Sequence, residues 1–191
     1  MKKHYALIVP LVCSTLLCTP AFADDDGHHE GEEGIFNIFS SRGGVQAFDN
    51  ALYTSNCAEC HFAYQPGLLP ARSWKRLMDP KALADHFGEN AELDEADRAE
   101  IEQMLVDNAA DQSHYNRSIK IMRSLSANEA PLRITETPYF KRKHNEIPAR
   151  AVKENKDVRS FSYCNKCHTQ AARGSFDEHE VKIPNFGRWE D

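Results

Sequence analysis

The sequence predicts a mainly α-helical protein with two unlike halves, a helical N-terminal one and a C-terminal one with little regular secondary structure. Three observations predict it. Between Val45 and Leu105, apolar residues recur at helical spacing in short runs. Beyond Asp111, proline at 131, 138, 148 and 184 limits helix length. Each half also carries one Cys-x-x-Cys-His pentapeptide, Cys57-Ala58-Glu59-Cys60-His61 and Cys164-Asn165-Lys166-Cys167-His168.

The chain opens Met1-Lys2-Lys3, runs through an apolar stretch from Ala6 to Leu17 and reaches Ala21-Phe22-Ala23 before three aspartates. That is the layout of a secretory signal peptide, residues 1–23, cleaved after Ala23. A membrane anchor needs about 18 or more uninterrupted apolar residues. Pro10, Ser14 and Thr15 break this stretch sooner, and Leu17 stands where a lipid anchor at Cys18 would want a small residue. The mature chain is therefore expected in the periplasm with no membrane span. Residues 24–40 begin with an acidic run bearing His28, His29 and glycine, which predicts a disordered, solvated arm.

Two of the 23 basic residues and none of the 29 acidic ones lie in the leader, so the formal charge moves from −6 to −8 on cleavage. The charge is unevenly spread. Residues 24–111 carry 6 basic and 19 acidic side chains, whereas residues 112–173 carry 13 and 5. This argues against nucleic acid as a partner and for charge-steered docking with proteins.

Element by element, Val45, Phe48 and Leu52 share one face of a helical pattern from Gly43, predicting a short helix that runs into Cys57. Pro66, Gly67 and Pro70 impose a loop before a second brief helix marked by Trp74, Leu77 and Met78. A longer helix starts at an Asp94 cap, with Asp97 in its first turn and Ile101, Met104 and Leu105 as its apolar stripe. These elements make residues 41–111 a first domain and residues 112–191 a second. In the second, Thr137 followed by Pro138 starts a helix that puts Phe140 and His144 one turn apart on a common face. The second pentapeptide is expected on a short helix that Gly174 terminates.

Cleavage removes Cys13 and Cys18, so every mature cysteine belongs to one of the two pentapeptides. In such a motif two thiols add to haem vinyl groups as thioethers, and the adjacent histidine is held under the ring to ligate iron. A zinc ribbon keeps its two knuckles roughly 15 to 20 residues apart. Here over a hundred residues separate Cys60 from Cys164. Neither zinc nor a thiol redox pair accounts for His61 and His168. The expected cofactors are two covalently bound haem c groups, attached at Cys57, Cys60, Cys164 and Cys167, with His61 and His168 as proximal iron ligands. Helix, haem motif, loop and closing helix is the order of a class I cytochrome c-like domain, and the second half relies on its haem for a core.

What faces each iron on the far side decides the chemistry. The candidates are His28, His29, His86, His114, His144, His179, Met78, Met104 and Met122. His86 lies in the loop before the closing helix, where a class I cytochrome supplies its distal ligand, and is favoured for haem 1 over Met78. His144 is favoured for haem 2 ahead of His179 and His114. Two histidines per iron would give six-coordinate low-spin haem, without the methionine that raises the potential of many cytochromes c.

The haem motifs, together with Pro66-Gly67-Leu68-Leu69-Pro70-Ala71-Arg72-Ser73-Trp74, His86-Phe87-Gly88, Asn108-Ala109-Ala110-Asp111, Arg133-Ile134-Thr135 and His144, resemble the bacterial dihaem cytochrome c family over nearly the whole mature chain. The resemblance implies a class I-like domain followed by a haem-bearing segment with little secondary structure. Mapped residue by residue, it places the distal ligands at His86 and His144. It also implies electron transfer, commonly with a small oxygen-binding monohaem cytochrome as partner and a membrane b-type cytochrome as electron source. The functional expectation is a periplasmic electron carrier rather than an enzyme. A dihaem peroxidase-like oxidoreductase and a gas-binding haem sensor are the alternatives, and each would need an open iron face.

Overall fold

The computed structural model describes residues 44–189, which fall in one compact unit. The predicted signal peptide and the predicted acidic arm, with His28 and His29, lie outside the described residues. Seven short α-helices and one two-stranded hairpin, joined by 3-10 turns, make up the described fold.

Helix α1 spans Ala51–Cys57, later than the pattern from Gly43 predicts. The start moves because the residues before it bond elsewhere. The Val45 amide donates to the Gly174 carbonyl at 2.8 Å and the Phe48 amide to Gln65 Oε1 at 2.6 Å. Asn50 then caps the helix by accepting from the Tyr53 amide at 2.9 Å.

Helices α2 (Ala71–Leu77) and α4 (Glu95–Asp107) pack together. Between them lies a core of Leu69, Trp74, Leu77, Ile101, Leu105 and Ala109. The Trp74 indole N–H donates to the Pro66 carbonyl at 2.8 Å, so the ring is buried without stranding its one polar group. Asp94 caps α4 through the Ala96 amide. Between these two helices, Asp79 caps a five-residue helix α3 (Pro80–Ala84) with Pro80 at its first position, a signal as plain as that at Thr137-Pro138.

After Asp111 the longest element is α5 (Asn116–Ser124), nine residues long. It lies against α6 (Pro138–His144), which Thr137 caps through the Phe140 amide. A second buried cluster joins Val45 and Leu68 from the first half to Ile121, Tyr139, Ala171 and Phe176 from the second. Ser118, fully buried on α5, donates from Oγ to the Gly67 carbonyl at 2.8 Å. Helix α7 (Ala149–Val152) and the hairpin β1 (Lys182–Ile183) and β2 (Gly187–Arg188) enclose a third, smaller cluster. β1 and β2 pair antiparallel, with Lys182 opposite Arg188.

The approach of Val45 to Gly174 demands glycine. Gly174 has φ +76, and a Cβ there would stand 2.5 Å from the Val45 carbonyl oxygen. Across the same contact, a Cβ on Gly44 would stand 2.5 Å from the Gly174 carbonyl oxygen. The second pentapeptide opens with a 3-10 turn, Cys164–Lys166, in place of the expected short helix, and a second such turn, Ala171–Arg173, follows it and ends at Gly174. No helix among the described residues is long and apolar enough to cross a membrane.

Candidate haem sites

Cys57 is the last residue of α1, and Cys60 and His61 follow in the turn beyond it. His61 donates from Nδ1 to the Phe62 carbonyl at 2.8 Å, which leaves the Nε2 lone pair free to bind a metal. Its ring stacks on Tyr64, with centres 4.8 Å apart at 28°. Opposite it stands His86, carried by the turn after α3. The backbone N–H and carbonyl of His86 both pair with Glu89, across a two-residue turn in which Phe87 has φ 58 and Gly88 φ 99. The Asp85 carboxylate accepts from the Gly88 amide and braces that turn.

The His61 and His86 ring centres are 6.3 Å apart, with planes inclined by 27°. In the second site His144, at the end of α6, faces His168 with ring centres 6.1 Å apart and planes at 72°. An iron held between two ring nitrogens at about 2 Å each requires ring centres about 6 Å apart. Both pairs meet that requirement. His144 is fixed by Phe140, one turn before it. It donates from Nδ1 to the Phe140 carbonyl at 2.9 Å, and the two rings lie 3.8 Å apart at 10°. Phe161 meets both rings edge-on. His168 has its backbone bridged to Val181 and its ring edge-on to Phe176.

A cavity of about 520 Å³ receives Cys57, Cys60, His61 and His86 together with Trp74, Leu83 and Leu105. Cys164 of the second motif, with Phe161 and Ser162, also forms part of its wall, so the two sites share a boundary. Tyr64 stands at that boundary. Its ring stacks on His61 and its hydroxyl donates to the Ser162 carbonyl. Met78 lines the same cavity from within the first core, whereas His114 and His179 are exposed.

Burial sets the protonation state at both sites. It pushes the Cys57 thiol up to about 11 and the Cys164 thiol up to about 12. Burial, and then the neighbouring His144 and Arg117, lower the His168 pKa to about 4. Burial followed by His61 and Arg133 lowers that of His86. Both rings are thereby kept in the neutral form that ligates metal. The four described cysteines form no disulfide, Cys60 and Cys167 directly precede His61 and His168, and a divalent-ion site of three or more His, Cys, Asp or Glu side chains is absent among the described residues. Unpaired cysteines beside two histidine pairs, the first pair facing an apolar cavity, fit haem better than a bare metal.

Fold and sites together define a c-type cytochrome with two haems. Residues 53–176 match the family model of dihaem cytochrome c, and the chain belongs to that family. It is 44% identical to the dihaem c-type cytochrome from Shewanella baltica, with a TM-score of 0.61, covering 74% of this chain and 98% of that one. It is 47% identical to the dihaem cytochrome c from Rhodobacter sphaeroides, with a TM-score of 0.60, covering 70% of this chain and 100% of that one. No curated protein matches the chain. The protein is a mainly helical haem electron carrier with two covalently bound haem c groups.

Sequence reasoning reaches Phe140 through its helical spacing from His144. It misses Tyr64, Phe161 and Phe176, aromatic neighbours of His61, His144 and His168, because all three lie outside helices and strands, where no period in the sequence places a side chain.

Proposed function

We propose that the protein is a periplasmic carrier whose two irons are each bound by two histidines, His61 with His86 and His168 with His144. The observation that carries this reading is the pair of ring-centre separations, 6.3 and 6.1 Å, each the span of one six-coordinate iron. Haem bound there supplies a one-electron couple at iron. The chain's own residues do the rest. The cysteines would anchor the haem, the paired imidazoles would bind its iron from both sides and leave no place for substrate, and the aromatic neighbours hold the imidazoles in place. Closed axial positions favour electron transfer over peroxide turnover or gas binding.

Export follows from the leader cleaved after Ala23, and haem attachment to cysteine suits that route. The partners are redox proteins: a small oxygen-binding monohaem c-type cytochrome as acceptor and a membrane b-type cytochrome as donor. The opposite charge of the two halves suits a carrier that docks two unlike partners in small, transient interfaces of below about 1,200 Å². Low-temperature electron paramagnetic resonance of the oxidised protein, with a pyridine haemochrome assay for stoichiometry, tests the ligation. Two haems per chain with only low-spin signals are expected. A substantial high-spin signal from intact protein would mean an open iron and overturn the reading.

A further inference from the structure

Resting on the bis-histidine reading above, we propose that the two sites are built unequal, with the His144–His168 site at the higher reduction potential. An electron then settles there and reaches it from the His61–His86 site. Two independent features carry the inference, and both concern what each imidazole does to the iron it binds.

The first is the inclination of the rings, 27° between His61 and His86 but 72° between His144 and His168. An imidazole raises the iron d orbital that overlaps the filled π orbital perpendicular to its own plane. Two nearly parallel rings raise the same d orbital twice. That orbital holds the single electron of low-spin ferric iron, so removing its partner is easier and the oxidised state is favoured. Two crossed rings raise two d orbitals equally, and the advantage to the oxidised state is lost. The first site is therefore the better electron donor.

The second is hydrogen bonding behind the rings. A ring N–H that donates to a carbonyl pushes charge toward iron and favours the ferric state. His61 and His144, one in each site, have such a bond, at 2.8 and 2.9 Å, so the sites differ in the other ring of each pair, of which that of His86 is half-buried. Among the described histidines, only His168 has a buried ring nitrogen, Nδ1, with no hydrogen-bond partner. The same burial disfavours the extra positive charge of oxidised iron. Nearby cations do not distinguish the sites, since Arg133 acts on His86 and Arg117 on His168.

Phe140 is the positioning residue in this arrangement. Stacked at 3.8 Å and 10°, it holds the plane of His144, and Phe161 packed edge-on to both rings prevents the pair from turning together. With haem bound, the site of His61 and His86 would give up one electron and the site of His144 and His168 would take it up. No bond is made or broken, and the electron comes originally from an external one-electron reductant.

The test is a redox titration of the intact haem-loaded protein with dithionite, followed by electron paramagnetic resonance at low temperature. The expected spectrum has a rhombic three-line signal from the near-parallel pair and a highly anisotropic low-field signal from the crossed pair. The low-field signal should disappear first. His86→Ala assigns the two, because it should abolish the rhombic signal and spare the low-field one. Phe140→Leu should shift the low-field signal and leave the rhombic one in place, and Phe140→Tyr, which keeps the stacked ring, should restore it. Two rhombic signals in the unaltered protein, or loss of the rhombic signal first or of both together, would overturn the proposal. A high-spin signal would instead remove the bis-histidine ligation on which it rests.

Discussion

The Tyr64 hydroxyl donates a 2.8 Å hydrogen bond to the Ser162 carbonyl, tying together positions 98 residues apart. The same ring stacks on His61, and Ser162 lies two residues before Cys164. One side chain thus braces His61 of the first pentapeptide against the approach to Cys164 of the second. Burial, ahead of the influence of Cys164, pushes the Tyr64 hydroxyl up to about 12, so it remains a donor throughout the neutral range.

Tyr64→Phe should keep the stack and lose the bond, leaving the Ser162 carbonyl without its donor. A stability loss of about 1–3 kcal/mol is expected. Chemical denaturation of the haem-loaded protein measures it, and an unchanged midpoint would show that the bond contributes nothing.

His144→Ala should open one iron and convert half of the haem to high-spin, while His179→Ala and His114→Ala should leave the spectrum as it was. His144 is held at 6.1 Å from His168, whereas the other two are exposed. Visible and paramagnetic resonance spectra of the three variants separate the cases. A high-spin fraction in His179→Ala alone would move the ligand to that residue.

Gly174→Ala combines a left-handed backbone with overlap on the Val45 carbonyl. The conformation alone costs an ordinary residue about 1–2 kcal/mol, and relieving the overlap must separate Val45 from Gly174. The melting temperature should fall by several degrees, about 2–4 °C for each kcal/mol in a chain of this size. Gly88→Ala, also at positive φ but with open space around its Cβ, should suffer the backbone cost without the overlap.

Charge steering gives a kinetic prediction. Electron transfer to a docked redox partner should slow as salt is raised, because the Debye length shrinks from about 10 Å at 0.1 M to about 3 Å at 1 M. Stopped-flow mixing across that range reads it. A rate indifferent to salt would mean that the charge asymmetry between the halves serves solubility only.

The parts of this fold that are legible in the sequence are those whose causes are local. Asp94 and Thr137 cap the helices they precede, and Phe140 meets His144 across a single turn. Asp79-Pro80 is equally local and predicts α3 once it is weighed. Helix α5 is hidden because Tyr115 provides no side-chain cap and its fully buried positions include Ser118, whose partner Gly67 lies far back in the chain. The start of α1 is hidden for the same reason, since the partner of the Val45 amide is Gly174. In the sites, the pentapeptides predict attachment points and proximal ligands by chemistry alone. Ring inclinations and shared walls emerge only from packing.

The Val45–Gly174 contact also bears on how the protein is made. Synthesis proceeds from the N-terminus, so the segment before the first pentapeptide appears early and its partner among the last residues. Cys57 and Cys60 are therefore available for haem attachment while the chain around them still lacks its closing contact. Only when the second pentapeptide has followed can the clasp shut. A block in maturation at the second motif should strand the first haem in a half-built, protease-sensitive chain.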